Sequence, residues 1–175
     1  YKKLLEAGRI YFGKNGDSQP STIRYLSEVE GMIPWTWWPH EEVGHTDEAK
    51  KEIITILGNA DSFDTPKPTR LIKRILQIAT NPDDIILDSF AGSGTTAHAV
   101  LNMNKADGGH RKFILVEMMD YADSITAERV KRVIKGYGEG KRAVEGTGGN
   151  FSFYDLGEPL LVGDCLNEAV APEKI

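Results

Sequence analysis

Two stretches of this sequence carry residue types and spacing that could do chemistry, and each follows a short apolar run. Residues 85–87, Ile-Ile-Leu, lead into residues 88–96, Asp-Ser-Phe-Ala-Gly-Ser-Gly-Thr-Thr, and a second apolar run ends on Glu117. Two glycines at this spacing let the backbone bend sharply and approach a ligand without a Cβ in the way. The turn also directs the free N–H groups of a helix start towards whatever is bound. The pattern predicts a strand, a ligand-binding turn and a helix, followed by a second strand that ends on a carboxylate.

Three classes of ligand use such a unit. A phosphate-binding loop for nucleoside triphosphates would need a lysine beside the threonines of the turn, and none is there. A dinucleotide site fits better, because residues 92–97 satisfy the Gly/Ala form of its fingerprint and Glu117 ends the next strand. S-adenosylmethionine is the third class: Glu117 could accept both ribose hydroxyls, and Asp88 could face the methionine end. Asp88 could also serve only as a cap of the turn. The residues alone leave the last two classes open.

Composition sets limits on the partners and the compartment. The chain has 175 residues, of which 40% are hydrophobic and 27% are charged, as expected for a single globular domain. Its net charge of −5 argues against this chain binding DNA by itself, because DNA-binding surfaces are usually basic. It has no apolar run of the ~20 residues that span a membrane. A single cysteine, Cys165, excludes an intrachain disulfide and gives no metal site, so a cytoplasmic setting is expected.

The N-terminal part of the sequence predicts a hairpin and an aromatic segment. Asn15-Gly16 lies between β-prone flanks, which is a strong signal for a hairpin turn. All three tryptophans lie within residues 35–38. They could stack on bases, but a packed aromatic anchor is the preferred interpretation.

Three further helices and a late strand are predicted, and one of these helices covers residues 121–134. Thr46 is expected to cap a helix that ends at Gly58. A second helix is expected to begin with Thr65 as its N-cap and Pro66 as its first helical residue. Residues 151–154 have strand character. The acidic and histidine residues before the first helix match no metal-ligand spacing.

The motif at residues 88–96 resembles the cofactor motif of amino-methyltransferases that act on DNA. Residues 63–68, Phe-Asp-Thr-Pro-Lys-Pro, resemble the companion segment that flanks the cofactor in that family, and the order of the two resembles its permuted β group. Residues 38–48 and 153–160 resemble the modification subunit of type III restriction–modification systems. The implied fold is α/β: a partial Rossmann-like sheet of an S-adenosylmethionine-dependent methyltransferase, flanked by helices.

The resemblance implies a division of the chain and a set of roles. Residues 1–44 would join a target-recognition region to the catalytic domain, 45–135 would form the cofactor-binding part of the methyltransferase domain, and 136–175 would form a glycine-rich loop and a C-terminal strand and tail. The cofactor would be S-adenosylmethionine, and the reaction would transfer its methyl group to N6 of an adenine flipped out of the duplex. The implied cofactor-binding residues are Thr65, Pro66, Lys67, Asp88, Phe90, Gly92, Gly94, Thr95, Glu117 and Met118.

Each of these residues has an implied task. Phe90 and the two glycines would shape the methionine pocket near Asp88, and residues 65–67 would close its other side. Glu117 would hold the ribose hydroxyls, and Met118 would lie against the adenine ring.

The sequence departs from the family pattern at one point. The catalytic motif Asp-Pro-Pro-Tyr does not occur, and residues 81–84, Asn-Pro-Asp-Asp, do not replace it. No catalytic residue and no metal ligand is therefore assigned, and the chain is expected to be the C-terminal part of a larger modification subunit. The implied partners are double-stranded DNA through the full-length subunit, a second modification subunit and a restriction subunit. The alternatives are an inactive cofactor-binding or assembly module and a dinucleotide-binding domain.

Overall fold

The computed structural model describes residues 1–29, 31, 33–59 and 63–170, and the chain divides into two compact units, Tyr1–Trp37 and Trp38–Ile175. In the first unit, helix α1 (Lys2–Glu6) precedes an antiparallel pair of short strands, β1 (Ile10–Tyr11) and β2 (Ser21–Thr22). Residues 12–20 join these strands, so the hairpin predicted at Asn15-Gly16 is confirmed, with a longer loop than a two-residue turn. A 3₁₀ turn, Leu26–Glu28, follows.

The aromatic segment of residues 35–38 is open to solvent at two of its three tryptophans. Trp35 and Trp37 are 80% and 77% exposed, whereas Trp38 is half-buried. The flanking Pro34 and Pro39 exclude regular helix here. The role of the segment as an anchor between two parts of a larger protein stays a prediction.

The second unit contains the predicted functional stretches. Its α-helices are α2 (His40–Val43), α3 (Thr46–Leu57), α4 (Thr69–Ala79), α5 (Thr95–Asp107) and α6 (Glu128–Lys135). Its strands are β3 (Ile85–Asp88), β4 (Lys112–Leu115), β5 (Gly136–Tyr137), β6 (Val144–Glu145), β7 (Leu161–Val162) and β8 (Cys165–Leu166). A π-helix (Ala122–Ala127) leads directly into α6, and a 3₁₀ turn (Gly140–Arg142) lies between β5 and β6. Among these residues no helix is both long and apolar enough to cross a bilayer.

The predicted strand–turn–helix–strand unit is present as β3, α5 and β4. The two strands pair in parallel, from Ile85 opposite Lys112 to Asp88 opposite Leu115. Their carboxyl ends therefore lie side by side, and residues that follow the two strands meet at one edge. The predicted order of strand, turn, helix and strand is confirmed.

Helix α5 is the centre of the core and is buried on nearly all sides over its first turns. One apolar cluster joins it to α3 and α6, and a second joins it to α4 and β3. Small residues such as Ala97 and Ala99 let the neighbouring elements approach its backbone closely. The first cluster consists of Ile56, Ala97, Leu101, Val130 and Val133; the second consists of Leu76, Ile86, Ala99, Val100 and Met103.

Both predicted helix caps were wrong in detail. The cap of α3 is His45, whose Nδ1 accepts from the Glu48 N–H at 3.1 Å, although Gly58 ends the helix as expected. Helix α4 begins after Pro68, not after Thr65. The residue before a proline is driven out of the helical region, and the second proline of the Pro-Lys-Pro sequence therefore delays the helix to Thr69.

The predicted strand at residues 151–154 is also wrong, because these residues have no regular structure. The Thr147 and Gly148 N–H groups donate to carbonyls of Val133 and Ile134 in α6. The chain is thus held to the end of α6 just before the segment, and residues 151–154 line the same cavity as β4 without pairing with it.

The face of the β3–β4 pair opposite α5 is apolar and open to solvent. Ile85 and Leu87 of β3, with Ile114 of β4 and the following Val116, are all more than half exposed. Paired parallel strands normally have both faces covered, and this pair has a cover on one face within the described residues.

The core assignment predicts a large difference in stability loss between alanine substitutions of two isoleucines, one in α3 and one in α4. Ile56→Ala should lower the free energy of unfolding by about 2–5 kcal/mol, because it leaves a cavity in the first cluster. Ile78→Ala, at an exposed position of α4, should cost less than about 1 kcal/mol. Urea denaturation of both variants measures these changes, and equal losses would contradict the assignment.

Candidate functional site

The turn that follows β3 is fixed by its own side chains and by glycine geometry. Asp88 Oδ1 accepts from the Phe90 N–H at 3.1 Å, and its other oxygen accepts a short hydrogen bond from the Thr96 hydroxyl. Gly92 and Gly94 adopt φ angles of +52° and +76°, which only glycine reaches at low cost. Asp88 thus caps the turn. Residues 89–94 are called the glycine turn below.

The π-helix packs directly against this turn. Thr126 donates its hydroxyl hydrogen to the Gly92 carbonyl at 2.6 Å. A Cβ at Gly94 would lie 3.1 Å from the Thr126 carbonyl oxygen, so a side chain there would force the two segments apart. Single-turn π-helices are frequent at functional sites. Sequence reasoning missed Thr126, whose only signal is a threonine within an otherwise helical pattern.

The structure brings Glu117 to the glycine turn. Its Oε2 accepts from the Gly92 N–H at 2.8 Å, while Oε1 accepts from the N–H groups of Met118 and Met119 at 3.0 and 3.1 Å. A carboxylate has about four acceptor positions, and these three backbone donors take three of them. A ligand with two adjacent hydroxyls would therefore have to displace one backbone donor.

The companion segment, residues 63–68, lies against the same turn. Thr95 donates its hydroxyl hydrogen to the Lys67 carbonyl at 3.2 Å. The Phe63 ring stands edge-on to Tyr121 at 5.4 Å between centroids and would be 3.4 Å from a Cβ at Gly92. Burial raises the pKa of Tyr121, and the charge and hydrogen bonding of the Glu117 carboxylate add to the shift. The segment's backbone and Phe63 thus form one wall beside the turn.

The predicted site residues differ in how they face solvent. Pro66 is fully buried, whereas Thr65 and Lys67 are exposed. Phe90 and Met118, which follow neighbouring strands, are 83% and 86% exposed. Two large apolar side chains therefore stand open at the edge where the glycine turn and Glu117 meet.

A buried polar cluster lies beneath the turn. Its centre is Arg129 of α6, whose side chain is 0% exposed. Nη1 faces the turn and donates to Ser93 Oγ at 3.0 Å and Thr95 Oγ1 at 2.9 Å. Nη2 faces the other way and lies 3.1 Å from each of its three partners. These partners are Glu52 of α3, Thr69 of α4 and His98 of α5.

The charge state of this cluster follows from its donors. Burial lowers the pKa of Arg129, and the Glu52 carboxylate opposes that shift. Because an arginine N–H can only donate, His98 Nδ1 accepts, and the ring carries its hydrogen on Nε2. Burial and then the neighbouring Arg129 lower the pKa of His98 to about 3. His98 is therefore neutral.

Sequence reasoning did not find this cluster. Arg129 lies between the buried residues Ala127 and Val130, and His98 lies between two buried alanines. A charged or titratable residue on an inward helix face is a usable signal, but it does not identify the partners. These come from helices 31 to 77 residues away along the chain.

A cavity of about 650 Å³ lies along the outer edge of β4. Glu117 is the one predicted site residue that lines it. Apolar side chains of α5, β4, α6 and the segment after Gly149 form much of its wall: Leu101, Phe113, Leu115, Val130 and Phe151. Glu117 and Thr126, which both contact the glycine turn, thus also line this cavity.

Comparison with known proteins gives a consistent picture. A family model described as DNA methylase matches residues 11–128. The StyLTI Mod subunit, a type III restriction–modification enzyme of Salmonella typhimurium, is 39% identical over 76% of this chain and 22% of its own. The type II methyltransferase M.KpnI of Klebsiella pneumoniae is 51% identical over 53% of this chain and 22% of its own. The DNA adenine methyltransferase YhdJ of Escherichia coli is 35% identical over 46% and 29%. The chain therefore spans between a fifth and a third of the length of these relatives.

The neutral state of His98 predicts a pH-dependent stability. The pKa is lower in the folded chain than its ordinary value of 6.5, so the unfolded chain binds the proton first and stability falls as pH drops below about 6.5. Between pH 7 and pH 5.5, His98 should lower the free energy of unfolding by about 1 kcal/mol. Urea unfolding of His98→Asn, which keeps an acceptor near Nδ1, should show a smaller acid loss than the parent chain.

The exposed His110 provides the control for this test. His110→Asn should keep the acid loss of the parent chain, because His98 is unchanged in that variant. An unchanged acid loss in His98→Asn would contradict the buried, neutral assignment.

Proposed function

Because the chain belongs to the DNA methylase family, we propose that it is the S-adenosylmethionine-binding part of a site-specific DNA adenine-N6 methyltransferase. One observation carries the proposal: Glu117, at the end of the second strand, accepts from the Gly92 N–H of the glycine turn at 2.8 Å. This contact brings together the two groups that would bind such a cofactor, which are a carboxylate for the ribose hydroxyls and a glycine turn for the methionine end. The relatives named as methyltransferases support the same reaction class.

The fold proposed for the domain is Rossmann-like. The parallel β3–β4 pair with α5 between the strands is the repeating unit of such a sheet, and the glycine turn follows its first strand. The divisions at residues 1–44, 45–135 and 136–175 stay predictions under this proposal.

The residues around the glycine turn fit the cofactor in type. The backbone of Gly92 and Gly94 offers close approach, and Phe90 and Met118 offer open apolar surface. Bound S-adenosylmethionine would supply an electrophilic methyl group on a sulfonium centre. Phe90 would contact the methionine end and Met118 the adenine ring, with Glu117 holding the ribose hydroxyls in exchange for a backbone donor.

The chain's contribution to the reaction is binding and orientation. The turn and the companion segment would fix the methyl donor in line with the target amine and exclude water from one side, which contributes through proximity. Asp88 holds the turn in shape through Phe90 and Thr96. Thr65 and Lys67 are exposed beside the pocket and would close over the ligand. No residue of this sequence is assigned to the target amine.

The proposed setting is a type III modification subunit, because relatives named as Mod subunits match this chain. Its partners would be double-stranded DNA, contacted through the full-length subunit, a second modification subunit and a restriction subunit. An assembly role is the second candidate. The open apolar face that contains Ile85, Leu87 and Ile114 favours it, because contiguous exposed apolar patches commonly mark surfaces that bind another protein.

Glu117→Gln tests the site. Calorimetric titration of the 175-residue chain with S-adenosylhomocysteine should show saturable binding. The variant should weaken it about 10- to 150-fold, the equivalent of one charge-assisted hydrogen bond of about 1.5–3 kcal/mol. Glu139→Gln, at an exposed position, should leave the affinity unchanged. Saturable binding of NAD⁺ in place of S-adenosylhomocysteine would favour the dinucleotide alternative.

A methyl-transfer assay tests the assignment of the missing step. The 175 residues alone should transfer no tritiated methyl group from S-adenosylmethionine to DNA, because no residue is assigned to bind the target amine. Measurable transfer would show that this chain contains a catalytic group that the sequence comparison overlooked.

A further inference from the structure

Arg129 connects the glycine turn to three helices through one side chain. Its guanidinium group holds Ser93 and Thr95 on one side and Glu52, Thr69 and His98 on the other. Residues from α3, α4, α5, α6 and the turn thus share one buried centre.

The cluster also reaches the companion segment. Thr95 accepts from Arg129 at 2.9 Å and donates its own hydrogen to the Lys67 carbonyl at 3.2 Å. Thr69, which begins the helix directly after the segment, is a further partner of Arg129 at 3.1 Å. The two sides of the proposed cofactor pocket are therefore both hydrogen-bonded to groups that Arg129 holds.

Stability alone is a poor reason for this arrangement. The cost of taking a guanidinium and a carboxylate out of water can exceed their mutual attraction, and apolar residues of similar volume often stabilise a fold as well or better. What apolar residues cannot do is fix the direction of hydroxyl and carbonyl groups. Arg129 sends one terminal nitrogen to the turn and the other to the helices, a planar geometry that lysine cannot reproduce.

We propose that Arg129 is a positioning residue that holds the glycine turn and the companion segment in a fixed relative position through Ser93 and Thr95. It acts on ligand affinity by keeping the pocket formed before the ligand arrives. The part of this inference that concerns the ligand rests on the proposed function. The part that concerns the order of the turn does not.

Hydrogen exchange measured by mass spectrometry tests the positioning role without any ligand. Arg129→Lys keeps a positive charge for Glu52 but loses the two terminal nitrogens that bind the turn and the helices at the same time. Amide hydrogens in peptides covering residues 88–96 and 63–69 should therefore exchange about tenfold faster than in the parent chain. The control is Val133→Ala, a buried position on the same helix with no part in the cluster. The two variants are compared at equal free energy of unfolding, set with urea.

The outcome of this comparison decides the proposal. Faster exchange confined to the turn and the companion segment in Arg129→Lys supports it. Equal exchange profiles in the two variants would show that Arg129 contributes only to global stability and would overturn it. Should Arg129→Lys fail to fold, Thr95→Val removes the link to Lys67 while Arg129 stays, and it should raise exchange in the same two peptides.

Affinity gives an independent readout. Arg129→Lys should weaken S-adenosylhomocysteine binding about tenfold and Val133→Ala less than about twofold, because loosening a preformed site adds an ordering cost to binding. Equal affinities would overturn the link between turn order and ligand binding. If the parent chain binds no S-adenosylhomocysteine, the proposed function fails, and the exchange experiment still decides whether Arg129 positions the turn.

Discussion

A guanidinium group without access to water is stable only where fixed acceptors surround it, and much of the second unit is arranged around one such group. Arg129 has acceptors from three helices and from the glycine turn. Each acceptor has to be presented at hydrogen-bond distance, so the helices cannot shift independently of the turn. The neutral state of His98 is part of this constraint, because a protonated ring would place two donors face to face.

The upper side of the turn is organised by a second charge, Glu117. Its carboxylate binds Gly92 and the two N–H groups that follow its own strand, which closes the edge where β3 and β4 end. The glycine turn therefore lies between a buried cation and a partly buried anion. This arrangement fixes the turn from both sides.

Local signals predicted much of this region. The apolar runs before Asp88 and Glu117 placed both strands, and the glycines placed the turn between them. Local rules failed where two signals competed, as at Thr65, where a good cap precedes a proline pair that forbids the helix. They also failed at residues 151–154, because strand propensity forms a strand only where a partner strand pairs with it, and these residues pair with none of the described strands.

The sequence by itself determined the order of strand, turn, helix and strand, and with it the meeting of the glycine turn and Glu117, because the ends of adjacent parallel strands must lie at one edge. It also contained the family resemblance. Only the tertiary structure decided what lies beneath the turn. Arg129 and Glu52 are 77 residues apart, and no periodicity or spacing rule relates such distant positions. Their pairing follows from how α3 and α6 pack on α5, which depends on the whole core rather than on any local pattern.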